Sequence, residues 1–414
     1  MSRWWGGAET TDRDWRRRRQ DAGVLPEAAA TAAIRADRTA GPTSLYVHVP
    51  FCIRRCAYCD FATAPYDADS ARAYVPRLLT ELGRVPRDAP MRTVYFGGGT
   101  PTALEERELE LLLAAVRDRI APQPGFEWTC EANPESVTPA KAALLRAHGV
   151  DRVSLGAQSF QPSVLAALGR DHAPDHVFRA LDVLRAAGFS RLTLDLMFAA
   201  PGESVADLER DLATLDALRL DHVSAYCLTY ETGTPLTRMR AEGRVTPQDD
   251  DAELVQYRLV RQRLAAAGLA HYEISNYARR GEESRHNLVY WRGEEYFGLG
   301  LGAGSYEHGT RRTTTRLLSQ YLGDWDGSPW PPHEAETLDP AAKARERVIL
   351  GLRLRAGIDP HEFTRERGGA LADLYRDDEL ESLRRRGLLE SREGRLRLTD
   401  RGLELADEVF VELV

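Results

Sequence analysis

Three cysteines in the segment HVPFCIRRCAYCDF, Cys52, Cys56 and Cys59, stand in a C-x3-C-x2-C pattern. Thiolates at this spacing can converge on one soft metal centre. A four-iron, four-sulfur (4Fe-4S) cubane held by three cysteines leaves one iron open to a small molecule. Recruiting His48 as a fourth ligand would instead give a closed, tetrahedral zinc site. His48 also reads as a packed, hydrogen-bonded histidine, because Tyr46 and His48 share a strand face by the two-residue period. A second motif, YFGGGTPT, holds Gly97, Gly98 and Gly99, which let backbone approach a ligand without side-chain obstruction. Cys130 and Cys227 lie in apolar strands and read as small buried hydrophobes, too few to hold another conventional cluster.

These motifs need elements that bring them together. From Ser44 onward, short β-branched or aromatic runs alternate with helix-length segments, the signature of parallel βα units. Six strands are predicted, at residues 45–49, 93–96, 127–131, 152–155, 192–196 and 222–227. Thr138, Pro139 and Gly149 punctuate one intervening helix as N-cap, first helical residue and terminator. The fold class is therefore α/β, a partial (β/α)6 TIM-like barrel. Cys52, Gly97, Glu131 and Gln158 all fall just after strands, on the C-terminal rim where the chemistry of such barrels collects.

The barrel is expected over residues 43–270, a connecting region over 271–329, and a mainly helical, winged-helix-like C-terminal domain over 330–414. That last domain ends in two short strands around Glu393 and Gly394. Residues 1–42 read as a flexible tail. Its Trp4, Trp5, Trp15 and Arg16 to Arg19 could touch an anionic membrane surface, but a disordered extension or a start site placed too far upstream explains it as well.

Composition narrows the function classes. Fifty-five basic against 63 acidic side chains give a net charge of −8, which argues against a nucleic-acid partner. Lys141 and Lys343 are the only lysines, and no GxxxxGK[ST] loop is present, so lysine-centred phosphate or Schiff-base chemistry is disfavoured. Five cysteines, an odd number in a long chain, point to a reducing, cytoplasmic setting. No apolar run is long enough to span a bilayer.

CxxxCxxC after the first strand with GGGTPT after the second resembles the radical S-adenosylmethionine (SAM) superfamily. From Tyr46 to Val414 the chain resembles the branch that holds the oxygen-independent coproporphyrinogen III oxidases and their relatives, the HemW-type haem chaperones. The resemblance implies a radical SAM barrel and a 4Fe-4S cluster on Cys52, Cys56 and Cys59, whose open iron chelates the amino and carboxylate groups of SAM. It also implies that Tyr46 and Tyr58 flank the cluster and SAM, and that Gly98, Gly99 and Thr100 meet the methionyl end. Glu131 would bind a polar ligand group, and Gln158, Arg170 and Asp195 would complete the pocket. Arg170 and Asp195 could equally form a plain ion pair.

Two features separate the branches. The oxidases resemble CxxxCxxCxC, whereas this chain has Phe61 in place of the fourth cysteine. Residues 286–291 match the HNxxYW motif of the haem-chaperone branch, which implies haem contact by His286, Asn287, Tyr290 and Trp291. A neutral imidazole can ligate haem iron, and two aromatic rings can pack on a porphyrin. The alternative is that this histidine and the aromatics only pin the C-terminal domain to the barrel. The chaperone reading implies haem as cargo, haem-accepting respiratory proteins as partners and a peripheral visit to the membrane. The oxidase reading implies decarboxylation of propionate side chains to protoporphyrinogen IX. Whether SAM is cleaved or only bound is open between them.

Overall fold

Six strands of this chain alternate strictly between polar and apolar side chains, and that alternation sets the architecture. The computed structural model describes residues 41–375 and 377–414, so the N-terminal tail expectation lies outside the described residues. In chain order the strands are β1 (Ser44–Val49), β2 (Phe51–Cys52), β3 (Ala64–Pro65), β4 (Ala89–Gly98), β5 (Ile120–Ala132) and β6 (Arg152–Gln158). Next come β7 (Arg191–Phe198), β8 (His222–Cys227), β9 (Ala270–Glu273), β10 (Asn276–Ala278) and β11 (Phe297–Leu299). The last are β12 (Gly304–Glu307), β13 (Thr310–Thr314), β14 (His333–Thr337), β15 (Leu389–Arg392) and β16 (Arg395–Leu398).

The six predicted strands form the parallel run β1-β4-β5-β6-β7-β8. The full sheet is wider than expected: β11 adds to β1 in parallel, and β10 and β9 extend the β8 edge antiparallel. The segment 271–329 is therefore not a separate connector, because it supplies β10, β11 and most of β9. The barrel unit comprises Pro42–Val289 and Glu295–Glu336, and a second unit contains Tyr290–Glu294 and Thr337–Val414.

Successive residues of a strand face opposite sides. Leu45, Val47, Val94, Phe96, Trp128, Cys130, Val153, Leu155, Leu192, Leu194 and Val223 thus share the apolar side and belong to one hydrophobic core. The helix Ala68–Leu82 meets that core with Ala71, Tyr74, Val75, Leu78 and Leu82, a spacing that keeps one stripe buried. Each large side chain buried this way is worth roughly 1.5–3 kcal/mol. The other side of the same strands is polar and also buried: Ser44, Thr93, Glu127, Thr129, Arg152, Ser154, Thr193, His222 and Ser224.

Burying polar groups requires partners, and the structure supplies them through charge. Glu127 receives Arg152 at 3.2 Å and Arg191 at 2.8 Å, and Arg191 also reaches Asp151 and Glu282 at 2.6 and 2.8 Å. The second Glu127 oxygen accepts the backbone N–H groups of Arg285 and His286 at 2.9 and 3.2 Å. One buried carboxylate thereby ties three strands to the start of the helix Arg285–Trp291.

The second unit contains the helices Pro340–Leu352, Pro360–Arg367 and Asp377–Arg385, the β15–β16 hairpin, and the helices Asp400–Glu404 and Ala406–Leu413. Glu393 and Gly394 turn the hairpin with φ of 53° and 76°, the pair of positive angles that matches the twist of a two-residue turn. This is the helix-plus-wing expected from the sequence. The helix Pro139–His148 carries the predicted Thr138 cap and the left-handed Gly149 terminator. Among the described residues no helix is long and apolar enough to cross a membrane.

Candidate functional site

The three motif cysteines run from the end of β2, which holds Cys52, along the loop that joins it to β3; β2 and β3 form a small sheet of their own in which Phe51 pairs with Ala64 and Cys52 with Pro65. Backbone bonds hold the middle of the loop: the Ala57 N–H donates to Leu168 O at 3.1 Å, and Ala57 O accepts from Leu236 N–H at 2.9 Å. Tyr58 packs beside them on the apolar group that includes Leu168 and Leu236.

A continuous hydrogen-bonded chain links two of the sulfurs. Thr100 Oγ1 donates to Cys52 Sγ at 3.7 Å and accepts from Asn133 Nδ2 at 2.9 Å. Asn133 Oδ1 accepts from Arg170 Nη2 at 2.9 Å, and Arg170 Nη1 donates to Cys56 Sγ at 3.3 Å. Burial pushes the Cys52 thiol up to about 12 and raises Cys59 as well. Such thiols stay protonated until a metal takes the proton's place.

The donor set discriminates between the two metal readings. Among the described residues no three or more His, Cys, Asp or Glu side chains gather as one metal ion requires. His48 is already engaged through both nitrogens, Nδ1 with Tyr46 Oη at 3.0 Å and Nε2 with Ala62 O at 2.9 Å. Burial lowers it to about 4, so it is neutral and structural. The zinc alternative therefore does not fit. Three cysteines on an anchored rim loop, two of them already met by donors from Thr100 and Arg170, are the donor set that a cubane with one open iron takes.

The glycine turn is built for close approach. Gly98 has φ of 107°, and a Cβ there would run into the His48 ring. A Cβ on Gly99 would stand 2.6 Å from the Pro50 carbonyl, and one on Gly97 would stand 2.8 Å from the Tyr95 ring. The Gly98 N–H donates to Glu131 Oε2 at 3.1 Å, while Tyr95 Oη donates to Glu131 Oε1 at 2.7 Å. Burial first, and the nearby Asp195 charge second among the raising influences, lift Glu131 to about 7. Burial lifts Asp195 to about 6, and Ser154 donates to it at 3.1 Å. Arg170 turns instead to Cys56, Asn133 and the Gly156 carbonyl, so no Arg170–Asp195 ion pair forms. Gln158 sits at a bulge in β6 with φ of 67°, which brings its amide toward Gly156 beside Asn133 and Arg170.

Inside the strands lies a recess of about 330 Å³ including its opening, lined by polar residues that include Glu131, Asp195, Arg152, His222, Tyr226 and Asn287.

The HNxxYW residues divide between the two units, His286 and Asn287 in the barrel unit and Tyr290 and Trp291 in the other. His286 is 0% exposed, hydrogen-bonded to Thr93 Oγ1 at 2.8 Å and stacked on Tyr95, with burial lowering it to about 3. The ring has no exposed face here, whereas the sequence expectation placed it against haem. Asn287 lines the recess. Tyr290 and Trp291 belong to the other unit, where Arg353 covers one face of the Trp291 ring at 4.6 Å. Cys130 is buried as expected, but Cys227 is exposed because it ends its strand at the rim, with Glu253 Oε2 at 3.8 Å.

Sequence reasoning missed Tyr95, Asn133, Ser154 and Ser224. The alternation S-L-Y-V-H, T-V-Y-F-G, E-W-T-C-E, R-V-S-L-G, R-L-T-L-D and H-V-S-A-Y was the available signal. Parallel strands covered on both faces usually read as continuous apolar runs, so six alternating ones announce a polar interior.

Residues 46–215 match the radical SAM superfamily, and residues 338–405 match the HemN C-terminal domain. The haem chaperone HemW of Mycobacterium tuberculosis is 41% identical over 385 residues, covering 90% of this chain and 95% of that protein. The haem chaperone HemW of Bacillus subtilis is 34% identical, covering 89% and 98%. Among solved structures, the coproporphyrinogen III oxidase HemN of Escherichia coli superposes with a TM-score of 0.78 at 22% identity, covering 94% of this chain and 93% of that one.

Proposed function

Because the chain belongs to the HemW family of haem chaperones within the radical SAM superfamily, we propose that it binds haem as cargo and passes it to haem-requiring respiratory proteins. Cys52, Cys56 and Cys59 hold the 4Fe-4S cluster in this reading, with SAM against Gly98, Gly99 and Thr100 and near Glu131, Gln158, Arg170 and Asp195. Tyr46 and Tyr58 flank that site. When bound, the cluster and SAM supply one-electron reducing chemistry. The protein's own part is positional: Arg170 and Thr100 orient the sulfurs, and Glu131 receives a cationic or hydrogen-bond-donating ligand group. Its site of action is the cytoplasm, with a transient visit to the membrane for delivery.

What supports carriage over turnover is Phe61, 47% exposed where the oxidases resemble a fourth cysteine, together with the haem-chaperone names of the most similar relatives. Half-buried Tyr290 is the proposed aromatic contact for haem, and Trp291, buried beneath Arg353, joins it when that cover moves.

The test is an anaerobic haem titration of cluster-reconstituted protein, followed at the Soret band. Saturable binding is expected. Supplied with coproporphyrinogen III, SAM and a reductant, the same preparation is expected to form no protoporphyrinogen IX. Robust product would restore the oxidase.

A further inference from the structure

We propose that His286 is a positioning residue for the SAM site, and that the histidine of the HNxxYW motif acts through two tyrosines on the glycine turn rather than on haem iron. This rests on the SAM reading above and deepens it. The carrying observation is a layer of three rings inside the barrel. His286 stacks on Tyr95 with centroids 5.1 Å apart and lies 6.4 Å from Tyr46, and the two tyrosines stand 6.2 Å apart, with all interplanar angles within 29° to 33°.

Both tyrosines lead to Gly98 by separate routes. Tyr95 Oη donates to Glu131, whose other oxygen accepts the Gly98 N–H. Tyr46 Oη bonds His48 Nδ1, and the His48 ring fills the space a side chain at Gly98 would need. His286 therefore sits behind both arms that fix the same backbone position. Its own place is set twice over: Thr93 Oγ1 holds the ring at Nδ1, and Glu127 holds the backbone N–H. Thinning this layer would let Tyr95 drop away from Glu131, and the carboxylate would lose a partner in a buried setting where such bonds matter most.

The experiment measures SAM affinity by calorimetry, and the SAM-induced change in the electron paramagnetic resonance signal of the reduced cluster, on cluster-reconstituted protein. A haem titration runs in parallel. His286→Ala is expected to weaken SAM about tenfold, the scale of a lost hydrogen bond to a charged group, and to blunt the spectral change, with haem affinity unaltered. His286→Phe, which restores the ring without the Thr93 bond, is expected to recover most of the SAM affinity. Tyr95→Phe removes only the hydroxyl and keeps the layer, so it tests the relay should the alanine variant misfold; it too is expected to weaken SAM. Unchanged SAM binding in His286→Ala, or in Tyr95→Phe, overturns the proposal. So does loss of haem binding with SAM binding intact, which would return His286 to haem ligation. Wild-type protein that carries a cluster but binds no SAM would instead refute the underlying cofactor reading.

Discussion

Glu131 carries a proton-linked tension between holding the empty site together and receiving a ligand. Its carboxyl is largely withdrawn from solvent and lifted from 4.5 to about 7, so folding favours its protonated form. The stability it contributes is fully present below about 4.5 and is lost as pH rises through about 7, because the unfolded chain releases that proton more readily. A ligand that brings a positive charge reverses the preference by stabilising the carboxylate. Two outcomes follow for Glu131→Gln. The cofactor-free variant should lose less melting temperature than wild type between pH 6 and pH 8. Its SAM affinity should be lower and should no longer strengthen with pH across that window. Parallel melting curves in the two proteins would show that Glu131 does not titrate there.

At the scale of elements, the start of the helix Arg285–Trp291 is fixed to the strands by one buried acid. Glu127 balances Arg152 and Arg191 and caps two backbone donors of that helix. Glu127→Ala would leave two guanidinium groups short of their counter-charge, and removing one partner from a buried network costs about 3–5 kcal/mol. Urea unfolding should report a loss of that size, and a loss below about 1 kcal/mol would mean that solvent or Glu282 takes over the pairing. None of this network was read from the sequence. The cysteine spacing, the three glycines and the six strands were legible because each is local. The partners Glu127–Arg152, Tyr95–Glu131 and Asn133–Arg170 are set by strand register, which one sequence does not print. His286 shows the same limit: its motif names the residue, but only the pairing of β4 with β1 puts two tyrosine rings against it.

For the whole molecule, the open question is whether the cluster builds the fold or is added to one already made. Small metal domains need the metal because they lack a core. Here the barrel core is complete without the cysteine loop: Leu45, Val47, Val94, Phe96, Trp128, Val153, Leu155 and Leu194 are packed away from solvent on their own. The loop itself is fastened by the Ala57 bonds to Leu168 and Leu236 and by the β2–β3 pairing, none of which involves a sulfur. The C-terminal hairpin and helices likewise bury Val348, Leu352, Phe363, Leu396 and Val409 without any metal. On the proposed reading the cluster is thus a guest of a finished scaffold. Cys56→Ala should abolish the cluster's visible absorption and its iron and sulfide content while leaving far-ultraviolet circular dichroism unchanged. Removing Cys56 also frees Arg170 from a sulfur, but Asn133 and the Gly156 carbonyl still hold it, so the melting temperature of the cofactor-free variant should stay within a few degrees of cofactor-free wild type, the shift expected for about 1 kcal/mol. Full retention of iron would remove Cys56 from the ligand set, and global unfolding would make the cluster a structural element after all.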